Sequence, residues 1–225
     1  MVHKKIIFLL IFLTTSSWGQ VRYIDYPSPF HSTIGKSGMV VSQNQASSNI
    51  GIEILNMGGN AIDAAVAVGF SLAITLPRAG NLGGGGFMLV YLSDEQKTIA
   101  VDFRSSAAND LTKKDFLFLK NNYDHRRYGY KAAAVPGTVA GLLQTHKRYG
   151  KLSLKKILKP VISQAAKGIY VSYDLNQAIG SADQIKLDKE SKSIYYKNDS
   201  PQAEHILIKR PDLAWAINEI ARNGQ

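Results

Sequence analysis

The sequence predicts a helix-rich α+β fold, on three observations. Two helical patterns follow one another over 45–57 and 60–76. Two short runs of strand character, FMLVYL (87–92) and TIAVDF (98–103), flank a polar SDEQK, and helical patterns dominate from there onward. With 225 residues, 45% of them hydrophobic, the chain is long enough for one large domain and lies outside the low-hydrophobicity, high-charge regime of disorder.

The first nineteen residues, MVHKKIIFLLIFLTTSSWG, stand apart from that fold. Lys4 and Lys5 precede the apolar run 6–13, and Ser17 and Gly19 fit the minus-three and minus-one positions of a cleavage site. A membrane span needs roughly 20 apolar residues, so this run is too short for one. The expectation is a cleaved export signal over 1–19, a single unit over 20–225 and a periplasmic or secreted location. Cysteine is absent, which excludes a thiol nucleophile and disulfides.

In QASSNIGIEILNMGGN, residues Ala46, Ile50, Ile54 and Met57 share one helical stripe, and Gly58 and Gly59 suit a left-handed helix end. Asn60 then caps a second helix, with Asp63 three residues later completing a capping box. That helix is apolar on nearly every face as far as Pro77, so it belongs at the centre. The unbroken apolar character of FMLVYL implies a strand buried on both faces. AAAVPGTVAGLLQTHKRYG suits a helix entered at Pro136 and Gly137 and ended by Gly150. Further helices are expected at 153–167 and 172–186, a strand at KSIYYK (192–197), and a last helix from Pro211 to a Gly224 cap.

The glycine run Gly83 to Gly86 lies between a helix and a strand. A phosphate cradle needs the opposite order, strand, loop, helix, and no Gly-Lys-Ser/Thr follows, so close backbone packing is the better account. The histidines, at 3, 31, 125, 146 and 205, never fall at metal-ligand spacing, and neither a metal nor a cofactor is expected. His146, near a helix end, reads as a partner of the helix dipole. Ser71 lies in Gly69-Phe70-Ser71-Leu72-Ala73, which lacks the last glycine of a nucleophile elbow and sits inside a helix, so it reads as structural.

The formal charge of +10 is unevenly spread. Residues 20–110 carry five Lys/Arg against seven Asp/Glu, and 111–225 carry twenty against ten, in scattered pairs with acids between them. A solvated basic face follows; neither nucleic acid nor, beyond the leader, a membrane is an expected partner. Arg104, directly after a core strand in VDFRSS, offers a planar fork that binds a carboxylate through two parallel hydrogen bonds. A structural pair with Asp102 or Asp110 is the alternative, and position alone leaves both open.

The stretch GMVVSQNQASSNIGIEILNMGGNAIDAAVAVGFSLAITLPRAGNLGGGGFMLVYLSDEQKTIAVDFRSSA (38–107) resembles the N-terminal part of the γ-glutamyltransferase (γ-glutamyltranspeptidase) precursor, with its GGNAxDAAVA, GGGGF and DFR elements in order. AVPGTVAGL (134–142) is similar to the family's PGTVAG segment. The resemblance implies an N-terminal nucleophile hydrolase, an αββα sandwich of two stacked sheets between helices. It also implies a precursor that cuts itself into large and small subunits, whose freed N-terminal Thr attacks the γ-glutamyl amide of glutathione. By the same resemblance Arg104 binds the α-carboxylate of the γ-glutamyl group. This chain has DFRSSAA where the family usually has DFRExAP, with Ser105 and Ala108 at the Glu and Pro positions.

The family's Thr-Thr-His-like start to the small subunit is not found; Thr14-Thr15 is followed by Ser16 and lies in the leader. The expectation is therefore the N-terminal portion of a large subunit, without a catalytic residue of its own and inactive alone. Its partners would be glutathione, other γ-glutamyl compounds and the small subunit of the same precursor. A related acylase of β-lactam side chains and a non-catalytic, truncated secreted binding protein are the alternative readings.

Overall fold

A computed structural model describes residues 34–116 and 129–224. The chain divides into one unit up to Ser37, of which residues 34–37 hold no helix or strand, and a second, Gly38–Gln225, which holds every element below. The leader expected over 1–19 lies outside the described residues.

α1 (Gln45–Asn56) begins where Asn44, in extended conformation, accepts a hydrogen bond from Ala46 N at 2.9 Å. It ends at Gly58, whose φ of 85° suits a residue without Cβ. α2 (Ala61–Thr75) has the capping box that its sequence predicts: Asn60 Oδ1 accepts from Ile62 and Asp63 N, and Asp63 Oδ2 accepts from Asn60 N at 3.0 Å. The Asp63 carboxylate is wholly buried and is also reached by the N–H groups of Lys151 and Leu152 at 3.1 Å. Buried charge is tolerable only with such donors.

α2 is central, as its apolar character requires. Val66, Ala67 and Phe70 are fully buried, and the helix packs against α1, against α3 (Thr138–Tyr149) and against α4 (Leu154–Lys167). Among these apolar contacts runs a buried polar network. Ser47 Oγ of α1 lies 2.7 Å from Ser71 Oγ and 2.8 Å from Thr75 Oγ1 of α2, and Ser71 donates to Gln164 Oε1 of α4 at 2.7 Å. Ser71 is thus structural, joining three helices.

β1 (Phe87–Leu92) and β2 (Lys97–Asp102) form an antiparallel hairpin, from Phe87 opposite Asp102 to Leu92 opposite Lys97. Met88, Val90, Leu92 and Ile99 pack on the core, whereas Phe87, Leu89 and Tyr91 are 67%, 77% and 60% exposed. The expected burial of this strand on both faces is met on one face only among the described residues. The pleat sends alternate side chains outward, and nothing among the described residues covers the outer face.

Beyond Asp102 the chain passes between two glycine-bearing segments. Phe103 N donates to Gly86 O at 3.0 Å, and Ser106 and Val135 exchange backbone hydrogen bonds at 3.2 and 2.8 Å. Gly84 O accepts from both Gly137 N and Thr138 N, at 2.8 and 3.0 Å. A Cβ on Gly85 would run into Ser105 N, one on Gly137 into Phe103 O, and one on Gly141 into the Phe103 side chain. Gly86 would meet the Phe103 ring at 2.8 Å. The close packing expected of the glycine run therefore holds for Gly85 and Gly86. Gly83 has only Asn81 Oδ1, at 3.7 Å, for a neighbour.

The C-terminal part departs from expectation in two places. The helix expected at 172–186 breaks after α5 (Tyr173–Gly180) into a 3₁₀ turn, Asp183–Leu187. The strand expected at 192–197 is mostly α6 (Lys189–Tyr195), because Asp188 caps it by accepting from Ser191 N at 2.7 Å. Only Tyr196–Lys197 extends, pairing with Ser200–Pro201 around Asn198 and Asp199, whose φ values of 50° and 60° make the tight turn. α7 (Pro211–Asn223) packs along α4 and ends at Gly224 as predicted.

Replacing Ser71 by Ala should lower stability by about 1–3 kcal/mol, since it leaves Gln164 Oε1 without its buried donor. The urea midpoint measures this; an unchanged midpoint would show the hydroxyl to be dispensable. Gly137→Ala and Gly141→Ala should each cost about 3 kcal/mol by forced displacement of Phe103, while Gly83→Ala should stay within about 0.5 kcal/mol. Equal effects at positions 83 and 141 in the same assay would refute the packing account.

Candidate functional site

Arg104 stands two residues beyond β2, at the end of the hairpin held by the glycines. Its backbone is turned by Asp102, whose Oδ1 accepts from Arg104 N at 2.8 Å. The clamp of 84–86 on one side and 135–141 on the other fixes the same peptide units. The root of a long, rotamer-rich side chain is thus held at the level of the main chain, which limits where the guanidinium reaches.

The side chain itself is exposed. Among the described residues the guanidinium makes no hydrogen bond or ion pair, so the structural pair with Asp102 or Asp110 is not formed. Asp102 uses its carboxylate on the backbone instead. An arginine with its five donors unengaged can take up a carboxylate without first breaking an internal ion pair.

Strand parity places Arg104 among particular neighbours. Thr98, Ala100, Asp102 and Arg104 are all exposed, whereas Ile99, Val101 and Phe103 are partly buried. Arg104 therefore belongs to the outer face of the hairpin, the face that also carries Phe87, Leu89 and Tyr91. A cation rooted on a held backbone beside an uncovered apolar surface can bind an anionic group.

The other candidates fall elsewhere. Ser71 is buried in the network of α1, α2 and α4. His146 lies in the last turn of α3 as expected, but its Nε2 faces the Leu152 carbonyl at 3.0 Å, so this nitrogen donates across the following loop, 3.4 Å from Asp63. Among the described residues no three His, Asp or Glu side chains are gathered as metal ligands. A cleft of about 430 Å³ between the edge of β2 and α3 is lined by Asp102, Gln144 and Arg148, without Arg104. Sequence reasoning missed Phe103, Gly137 and Gly141 as supports of the site. The signal was present in two glycines one helical turn apart at the start of α3, a spacing that marks close approach more than helix propensity.

Comparison with known proteins gives a consistent result. The Gamma-glutamyltranspeptidase family pattern matches residues 47–225. The glutathione hydrolase proenzyme of Escherichia coli is 38% identical over 199 residues, which are 87% of this chain and 34% of that protein. Among solved structures, Helicobacter pylori gamma-glutamyltranspeptidase superposes with a TM-score of 0.79 at 37% identity, over 87% of this chain and 56% of that one. Cephalosporin acylase from Bacillus halodurans matches with a TM-score of 0.76 at 25% identity, over 90% and 39% of the respective chains. The chain spans about a third of the length of the curated relatives it matches, and its fold is the corresponding part of the α+β N-terminal nucleophile hydrolase architecture. The chain belongs to the γ-glutamyltranspeptidase family.

Proposed function

We propose that this chain is the N-terminal part of the large subunit of a γ-glutamyltransferase. The whole enzyme takes the γ-glutamyl group from glutathione and related compounds and passes it to water or to amino acid and peptide acceptors. The observation that carries the reading is Arg104: an unpaired guanidinium on a backbone held by glycines, in a family whose relatives are named for glutathione hydrolysis.

In this reading Arg104 holds the α-carboxylate of the donor through two parallel hydrogen bonds and so fixes the distance to the γ-carbonyl. The nucleophile is the N-terminal Thr of a small subunit from the same precursor. Its hydroxyl loses its proton to the adjacent α-amine as the oxygen adds to the γ-carbonyl, and the leaving amine departs with that proton. The resulting γ-glutamyl ester is opened by water or an acceptor amine, and the free hydroxyl is restored. Donors of an oxyanion hole support both tetrahedral stages. The 225 residues contain no Thr-Thr-His-like start, so they should not turn over substrate by themselves.

The exposed apolar row of Phe87, Leu89 and Tyr91 supports a role for further protein, because a sandwich covers such a face with a second sheet. The leader pattern supports export to the periplasm or beyond. An acylase that opens β-lactam side-chain amides is the second reading, favoured by the match to cephalosporin acylase, though at 25% against 37% identity.

In the full-length enzyme, Arg104→Lys should raise KM for γ-glutamyl-p-nitroanilide about thirtyfold, or about 2 kcal/mol, with a smaller effect on kcat, since the fork but not the charge is lost. An unchanged KM would remove Arg104 from the substrate site. Residues 20–225 alone should release no p-nitroaniline, and adding the rest of the precursor should restore release. Turnover of cephalosporin side-chain amides without γ-glutamyl turnover would favour the second reading.

A further inference from the structure

The face formed by α4 and α7 is not used by the proposed chemistry, and its composition is unusual. The two helices run antiparallel: Arg210 N, just before α7, donates to Ala165 O near the end of α4. At the opposite ends Lys155, Lys159 and Ile162 share a cleft with Asn218, Ala221 and Arg222. Trp215, Asn218 and Arg222 follow one stripe of α7 at helical spacing, and the Trp215 side chain is 69% exposed. On the other flank of α4, Lys156, Lys159 and Lys167 line a cleft of about 590 Å³ together with Glu53.

The charges on this face do not cancel. Glu219 pairs with Arg222, and Asp212 pairs with Arg210, whose hydrogen bond holds the Asp212 carboxyl below the usual carboxylate range. Among the described residues Lys155, Lys156, Lys159 and Lys167 have no ion-pair partner, leaving Glu53 alone opposite three of them. Trp215 lies outside both clefts, on the stripe of α7 that carries Arg222 about two helical turns further on, so the exposed indole and the cleft's cations share one flank of the helix pair. Base stacking on nucleic acid would call for several aromatics along the cations. Lysines with long apolar stems, on the same flank as one exposed tryptophan, match the boundary between phospholipid headgroups and acyl chains.

We propose that the α4/α7 face docks the protein peripherally on an anionic phospholipid surface, with Lys155, Lys159 and Arg222 against the headgroups and Trp215 entering the interface. This departs from the expectation of no membrane partner. No described helix is long and apolar enough to cross a membrane, so the contact is with the surface. Electrostatic attraction to anionic lipid supplies most of the affinity and is screened by salt.

The test is co-sedimentation of the full-length protein with vesicles of phosphatidylcholine alone and of phosphatidylcholine containing roughly one-third phosphatidylglycerol. All variants carry the same N-terminus, so a contribution from the leader is common to them. Binding is expected only to the anionic vesicles and should fall as salt is raised from about 0.1 M to about 0.5 M. Lys155→Gln/Lys159→Gln should weaken it about thirtyfold, and Trp215→Ala should weaken it while leaving the salt dependence in place. Thermal unfolding of each variant should match the parent, since all three side chains are exposed. Absence of binding, equal binding to neutral vesicles, or equal binding by the double variant would overturn the proposal. So would binding to heparin as tight as to vesicles together with indifference to Trp215→Ala, which would mark a general polyanion surface instead.

Discussion

The structure depends on the passage of residues 103–106 between two backbone segments with no room for a Cβ. Gly85 on one side and Gly137 and Gly141 on the other approach main-chain or Cβ atoms of that stretch directly. The same passage explains an oddity of α3, which begins without a side-chain cap. The orphan N–H groups of Gly137 and Thr138 are both taken by Gly84 O. A helix start normally satisfied within its own segment is satisfied here by the loop that the helix clamps. Hairpin, glycine loop and α3 are therefore one mechanical unit, and Arg104 emerges from its centre.

Around this unit the core is apolar but its register is set by polar groups. α2 is so nearly hydrophobic all round that apolar contact alone would tolerate several rotations against α1 and α4. The bonds among Ser47, Ser71, Thr75 and Gln164 single out one arrangement, because any other strands buried hydroxyls. Asp63 does the same at the other end, binding the start of α2 and the loop after α3 with one carboxylate.

What was legible in the sequence was whatever is encoded locally. The Asn60/Asp63 box, the Gly58 and Gly224 helix ends and the hairpin follow from residues within a few positions of one another. Burial of FMLVYL was not legible, because whether Leu89 is covered depends on a surface supplied from elsewhere. KSIYYK misled because alternation around Ile194 satisfied a strand pattern, while the decisive Asp188 cap lay outside the window. For Arg104 the residue type and its place after the strand were visible, but freedom from Asp102 was not. That freedom depends on Asp102 turning back to a backbone N–H two residues on.

The same geometry bears on Ser105 and Ala108, the positions at which DFRSSAA differs from the DFRExAP pattern of the family resemblance. Neither side chain is needed for the grip on Arg104. Phe103 is held through its N–H and carbonyl by Gly86, and Ser106 through its N–H and carbonyl by Val135. The segment between them can carry a different side chain at 105 so long as the glycines opposite remain glycines. The hydrogen bond from Arg104 N to the Asp102 side chain is the exception, since it requires a short acceptor at that position. Variation at 105 and 108 beside an intact DFR and an intact glycine loop is what a site built on main-chain contacts permits. The requirements fall on residues that lack a Cβ or point one back at the chain, and only secondarily on the polar side chains nearby.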